Sequence, residues 1–589
     1  MAVGSFNLVL HGHLPYVLRH GVWPHGEDWL YEAAAETYLP ILAMIDQCVF
    51  FNARPHMTIG LTPVLLEQLA HEHFKSGFEH YLADRIARAR QDRGDFERAG
   101  QPHMVYLADR WVQYHQELGQ QFAAINRDIP GEYAQRARDG LIQILTSTAT
   151  HAYLPLLYED SSIRAQLRAG LASSHRILGF KPTGMWLPEC AYRPGGPWRS
   201  PNGWAGKDCR IGIEHLVADE TITHFFVEHH LVEQSRSEQV FNDGQWWKIN
   251  WEEAAKYPNR GWRSVNEPQG VNSDGTGLAR VTVFARDPKV CEQVWSGEIG
   301  YPADGVYLEF HKKWGPRRGL RYWKITGHKI DLGGKDPYYP DDIAGKIHQH
   351  ATHFCNFVRQ RLWDYHRGTG RHGVVTACFD AELFGHWWFE GPRFLRDVLL
   401  NFNADPDVDL VTSEKYLADH PSDKVVSLSE GSWGDGGDHR VWANPQINWM
   451  WDIEYRCEAN FGKATLELPW ETDKKIEQLL IKAARELLLL QSSDWQFNIT
   501  RGQSIDYAIK RYMQHVSRFE VLLDLAEKLG QDSDYLGKLT EIEQSEVKDA
   551  DVHDVIFPHI ELKWWSMGSP QTPNIRASTG VGAVDCSAS

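Results

Sequence analysis

Short apolar, β-branched runs recur along the first two thirds of the chain, separated by longer stretches with helical spacing. They are FNLVL (6–10), MTIGLT (57–62), ILTSTAT (144–150), GMWLP (184–188), ITHFFV (222–227), VTVFA (281–285) and VVTACF (374–379). This alternation predicts parallel strands covered by helices, an α/β architecture. Several runs end abruptly in polar or charged residues: His11, Glu189, Arg286/Asp287 and Asp380. In a parallel barrel the functional groups gather at the C-terminal ends of the strands, so these are the expected site positions.

The pattern changes in three places. Residues 66–140 carry heptad-like apolar spacing among many charges, which predicts a helical insertion after the second strand. Residues 230–280 are dense in Gly, Asn and Trp, and a connection of that length is expected to be functional or disordered. From about 405 to 530, apolar residues at i, i+3 and i+4, as in KKIEQLLIKAARELLLL, predict a C-terminal all-α domain. The last residues, 566–589, are small and polar and read as a disordered tail. No internal repeat is evident.

Composition narrows the chemistry. The 24 Trp, beside 22 Tyr and 24 Phe, exceed what a core requires. Neighbours such as Trp246/Trp247, Trp387/Trp388, Trp449/Trp451 and Trp564/Trp565 cannot easily all point inward, and flat indole faces suit sugar rings. The net charge of −17 argues against a nucleic-acid partner, whereas a neutral polymer is compatible with it. The eight Cys are scattered without a CxxC pair, which fits reduced thiols in a cytosol. The N-terminus lacks a basic n-region, and no run of 18 apolar residues could cross a membrane, so the chain reads as cytoplasmic with no membrane partner.

Retaining cleavage of a glycosidic bond needs two carboxyl groups roughly 5–5.5 Å apart, one to attack and one to shuttle a proton. Glu189 in GMWLPECAYRPG and Asp380 in VVTACFDAELFGHWW each follow an apolar strand. Trp186, Pro188, Tyr192 and Arg193 surround Glu189, and the cation is expected to keep the carboxylate ionised. Cys378, Phe379, Phe384 and Trp387/Trp388 surround Asp380, and apolar neighbours raise a carboxyl pKa, as a proton donor requires. By pattern alone, either acid is also compatible with a solvated turn or a helix N-cap. His11 and His13 project from one face of an extended strand. A metal pair, a polar clamp on a sugar and a structural pair all fit. Further ligands at metal spacing are missing, which favours the sugar clamp.

Five segments in order, HGHLPY (11–16), IGLTPVL (59–65), GMWLPECAYRPGG (184–196), CFDAELFGHWWFEGP (378–392) and SWGDGGDHRVWANPQINWMWDIEY (432–455), resemble glycoside hydrolase family 57, specifically its α-glucan branching-enzyme branch. The resemblance runs from residue 6 to about 530. It implies a distorted (β/α)7 barrel over residues 1–400 and a retaining mechanism without metal or organic cofactor. It further implies Glu189 as nucleophile, Asp380 as acid/base, and an α-glucan partner; a monomer or small homo-oligomer is expected. Sugar contacts are implied for His11, His13, His151, Trp186, Trp295, Trp387, Trp433 and Trp442. The family's water-shielding loop carries a Tyr at its tip, a role that falls here to Tyr257. The helical C-terminal continuation resembles branching enzymes, whereas the 4-α-glucanotransferase branch continues into β-rich domains. An α-amylase and a non-catalytic glucan-binding protein are the alternatives.

Overall fold

The computed structural model describes residues 2–201, 203, 206–242, 244–248, 263–315, 318–327, 329–551 and 556–566. Tyr257 and nearly all of the expected tail lie outside them. All seven apolar runs contribute strands: β1 (Gly4–Gly12), β2 (Met57–Leu61), β3 (Ile142–Leu145), β4 (Gly184–Met185), β5 (His224–Val227), β6 (Val281–Ala285) and β7 (Gly373–Asp380). The third and fourth runs leave the sheet early, because their later residues turn into the site.

The strands run parallel in the order β7-β1-β2-β3 and β4-β5-β6. Single contacts join the two groups. Between β3 and β4 there is one parallel bridge, Thr146 to Met185. Between β6 and β7 the Asp287 N–H donates to the Thr376 carbonyl at 2.9 Å. The ladder stops there because the free edge of β6 pairs antiparallel with Gln269–Val271, which leads into a side sheet. The open edge of β7 is covered by Asn266, whose carbonyl and side-chain amide bond Val374 at 2.8 and 3.1 Å. The result is a distorted (β/α)7 barrel.

The two-residue period of a strand sorts side chains inward and outward. Val9, Phe226, Phe284, Val374 and Cys378 pack together in the barrel interior with Leu145 and Trp186. Their neighbours Leu8, Leu10, Val375, Ala377 and Phe379 pack against the covering helices. Burial on both faces explains why these strands read as continuous apolar runs. The same parity directs His11 and Asp380 toward the barrel axis, and the two pair in register.

After β2, the chain forms two long helices, α1 (Glu72–Arg98) and α2 (Pro102–Ala124). Toward the C-terminus come α3 (Asn448–Glu467), α4 (Lys474–Leu490), α5 (Asp494–Thr500) and α6 (Ile505–Gln531). The α4 helix is N-capped by Asp473, which accepts from the N–H groups of Lys475 and Ile476. It buries Leu480, Leu487 and Leu488 completely, each contributing about 1.5–3 kcal/mol. No helix among the described residues is long and apolar enough to cross a membrane.

The paired Trp residues divide as the crowding argument requires in three cases. Trp387 is exposed and Trp388 buried, Trp449 exposed and Trp451 buried, and Trp246 and Trp247 are both exposed. Trp564 and Trp565 are both buried instead, in the core around Phe461, because a short terminal helix folds back on the domain. Six cysteines carry free, buried thiols, whereas Cys209 is disulfide-bonded, against the expectation of reduced thiols.

Candidate active site

Glu189 sits four residues beyond β4 in a tight turn where the backbone is left-handed, with φ 60° at Glu189 and 49° at Cys190. Two successive non-glycine residues in this region cost of order 1–3 kcal/mol each and persist only where packing holds them. Cys190, fully buried in the barrel interior, supplies that packing. The carboxylate then meets groups from distant segments. Trp433 Nε1–H donates to Oε2 at 2.8 Å, Ser493 Oγ–H donates to Oε1 at 3.1 Å, and His151 Nδ1 lies 3.7 Å from Oε1.

Arg193 does not hold this carboxylate. Its guanidinium turns away to the carbonyls of Pro194 and Ile211 and stands 3.9 Å from Asp160. Burial therefore dominates, and it pushes Glu189 up to about 7 even though the Trp433 and Ser493 bonds favour the ionised form. The expected depression by a cation is corrected: neutral donors hold the charge.

Asp380 ends β7 on the inward face. Burial, then the charges of Glu382 and Glu189, push its carboxyl up to about 8. Cys378, one pleat below, fills the interior as the sequence reading supposed, but the acidic neighbour Glu382 adds to the effect. Glu382 accepts from the Tyr38 hydroxyl and from the His13 backbone N–H. Of Glu189 and Asp380, it is Asp380 whose carboxyl is pushed higher, so the proton resides preferentially there.

A histidine triad lies against the acids. His11 stacks on Trp186 at 4.7 Å, and its Nε2 is 3.1 Å from His151 Nε2. His13 bonds Thr62 through Nδ1 at 3.0 Å and Asp494 through Nε2 at 2.9 Å. Burial holds His11 and His151 well below the ordinary imidazole value, so both are neutral. Burial also opposes charge on His13, yet the Asp494 carboxylate raises it above its ordinary value. His13, His151 and Asp494 offer donor atoms within 4.8 Å of one another, as metal ligands would. Those atoms are already engaged: His13 Nε2 with Asp494, and both His151 nitrogens with Ser493 and His11.

The other expected positions divide. Trp295 and Trp387 are exposed and meet edge to face at 6.0 Å, forming an aromatic wall. Trp433 is half-buried beside Glu189. Trp186 and Trp442 have no free face, being 0% and 1% exposed. Trp186 backs His11, and Trp442 stacks on Tyr153 at 4.5 Å, so both serve as packing where sugar contacts were expected. Arg286 pairs with Glu228 at 2.7 Å, and Asp287 caps the helix Pro288–Trp295 while pairing with Arg361. Asp287 does not join the carboxyl pair, whereas the charge of Arg286 acts on Asp380 and opposes the rise of its carboxyl. Sequence reasoning missed Glu382, Ser493 and Asp494. Glu382 stood two residues from Asp380 in a quoted segment, but Ser493 and Asp494 follow an ordinary amphipathic helix and carry no local signal.

Residues 7–429 match the model of glycosyl hydrolase family 57. The chain belongs to that family. Residues 455–565 match the C-terminal domain of 1,4-alpha-glucan branching enzymes. Within glycosyl hydrolase family 57, the chain is 37% identical over 525 residues to the 1,4-alpha-glucan branching enzyme of Thermococcus kodakarensis, covering 88% of this chain and 73% of that one. The crystal structure of the branching enzyme of this family from Pyrococcus horikoshii is similar at a TM-score of 0.84 and 34% identity, covering 97% and 98% of the two chains. An alpha-amylase structure from Thermotoga maritima is similar at a TM-score of 0.77 and 26% identity, covering 96% and 100%. The family 57 match ends before α3, and the branching-enzyme match takes in most of α3 through α6, so Ser493 and Asp494 reach the barrel site from the second matched region.

Proposed function

We propose that the protein is a retaining 1,4-α-glucan branching enzyme. The observation that carries this is the bond set on Glu189, in which a helical domain of branching-enzyme type contributes Ser493 to a carboxylate of the barrel. An α-1,4-glucan lies across the aromatic wall of Trp295 and Trp387. Asp380, protonated at neutral pH, gives its proton to the leaving glycosidic oxygen while Glu189 attacks the anomeric carbon. A covalent glucosyl-enzyme forms with inversion at that carbon. Asp380, now ionised, takes the proton from the 6-hydroxyl of an acceptor glucose, whose oxygen displaces Glu189. The second inversion restores the α configuration as an α-1,6 branch. We assign His13, whose ring nitrogens are held by Thr62 and Asp494, to the wall of the sugar site beside the nucleophile.

A second reading, hydrolysis as an α-amylase, is favoured by the likeness to the Thermotoga maritima structure. The same glucosyl-enzyme serves both, and exclusion of water decides between them. We assign that exclusion to the loop bearing Tyr257. A cytoplasmic reaction by a monomer or small homo-oligomer completes the proposal. The test is to incubate the enzyme with amylose, treat the product with a debranching enzyme and size the released chains. New α-1,6 linkages are expected. Reducing ends without branches would replace branching by hydrolysis.

A further inference from the structure

A cavity of about 320 Å³ opens between the C-terminal end of α1, the first turn of α2 and the hairpin formed by Lys313–Trp314 and Leu320–Arg321. Its size falls within the range of pockets that hold small ligands. Phe96, His103, Met104, Trp314, Trp323 and Pro337 line it, and no Asp, Glu, Lys or Arg does. Phe96 and Trp314 lie 5.0 Å apart, and Trp314 and Trp323 lie 6.2 Å apart at 41°. The rings form an angled trough rather than a closed stack. Trp314 remains 36% exposed. Among the described residues neither indole N–H has a hydrogen-bond acceptor within the chain.

We propose that this cavity is a second α-glucan-binding site, away from the catalytic carboxylates. The proposal rests on the glucan-acting reading above. Flat apolar faces carrying neutral donors suit a neutral polyhydroxyl ring, whose C–H face stacks while its hydroxyls bond. The lining itself carries no charged side chain, and one cation, Lys312, lies 4.3 Å over the Trp323 ring, which leaves the exposed Trp314 as the principal stacking surface. The rim continues the same chemistry: Tyr339, 45% exposed, stacks on His103 at 4.2 Å, and Gln101 presents an exposed amide.

The cavity wall is also tied to the catalytic cleft. Arg321, on the hairpin, donates to the carbonyl of His386 at 3.0 Å, the residue before the exposed Trp387. Tyr338, next to Pro337, donates to Glu390 three residues beyond Trp387. One segment, 386–390, therefore anchors both the cavity and part of the aromatic wall. A long glucan held in the trough is kept close to the cleft, which short oligosaccharides would not feel.

The experiment uses the full chain carrying Asp380→Asn, with and without Trp314→Ala/Trp323→Ala, in native gels containing glycogen or amylose. Retardation by the polymers is expected to weaken about ten-fold in the double variant, the scale of losing an aromatic contact. In the active chain, the double variant is expected to keep kcat on a maltoheptaose-length substrate while KM for amylose rises. Undiminished retardation and an unchanged KM in a folded double variant overturn the second site. Should the double variant not fold, Trp314→Ala alone, at an exposed position, is read in the same way. A parent protein that is neither retarded by α-glucans nor active on amylose would instead overturn the functional reading.

Discussion

Trp433 donates its indole N–H to Glu189 at 2.8 Å across 244 positions of sequence. The Trp433 backbone N–H also bonds the Glu189 carbonyl, at 3.0 Å. The nucleophile candidate is thus clamped at side chain and backbone by a segment that follows the last barrel strand. Trp433→Phe keeps the ring and removes the donor. A bond to the ionised form lowers a carboxyl pKa, so its loss raises that of Glu189. The acidic limb of the kcat/KM profile is expected to move to higher pH, with activity at neutral pH falling roughly 10–100-fold, as for loss of a hydrogen bond to a charge.

Glu189→Gln and Asp380→Asn are each expected to lower activity on amylose by at least roughly 10²-fold while leaving the circular dichroism and melting temperature close to those of the parent. Glu189→Gln replaces the attacking carboxylate by a neutral amide. Asp380→Asn removes the proton donor. Wild-type turnover in either variant would sink the assignment.

The pH profile follows from the two shifts. Activity requires Glu189 ionised and Asp380 protonated. It is expected to fall below about 7, where Glu189 takes up a proton, and above about 8, where Asp380 loses one. Glu382 raises the Asp380 value by its charge, so Glu382→Gln is expected to shift the basic limb to lower pH. Rate measurements across the range with one short substrate give both limbs.

Asp494 holds His13 above its ordinary pKa. In Asp494→Asn that support is gone and burial remains, so His13 is expected to titrate lower, as read by imidazole NMR shifts. The stability linkage has the same sign: the His13 contribution is full below the unfolded imidazole value and is lost as pH rises through the raised folded value. Its removal should therefore cost more stability at mildly acidic pH than at alkaline pH.

Trp442→Ala tests whether that residue packs or binds. At 1% exposure and stacked on Tyr153, it is expected to cost about 3–5 kcal/mol of stability. Denaturant unfolding checks this. A large rise in KM at unchanged stability would restore it to the sugar site.

The sequence by itself determined the strands and the direction of their side chains. Burial on both faces forces continuous apolar runs, and the two-residue period then fixes His11 and Asp380 on the inward face of β1 and β7. The chemical types were also legible, since acids at the ends of apolar strands stand out. Only the tertiary structure decided what surrounds them. Arg193, adjacent in sequence to the Glu189 turn, points away, while Trp433 and Ser493 arrive from far along the chain. Trp186 and Trp442 resemble Trp295 and Trp387 in composition, and their exposure separates them. The physical reason is that a carboxyl's pKa and an indole's free face depend on which atoms are excluded from water around them. That exclusion is set where separate segments meet, and local sequence carries no record of it.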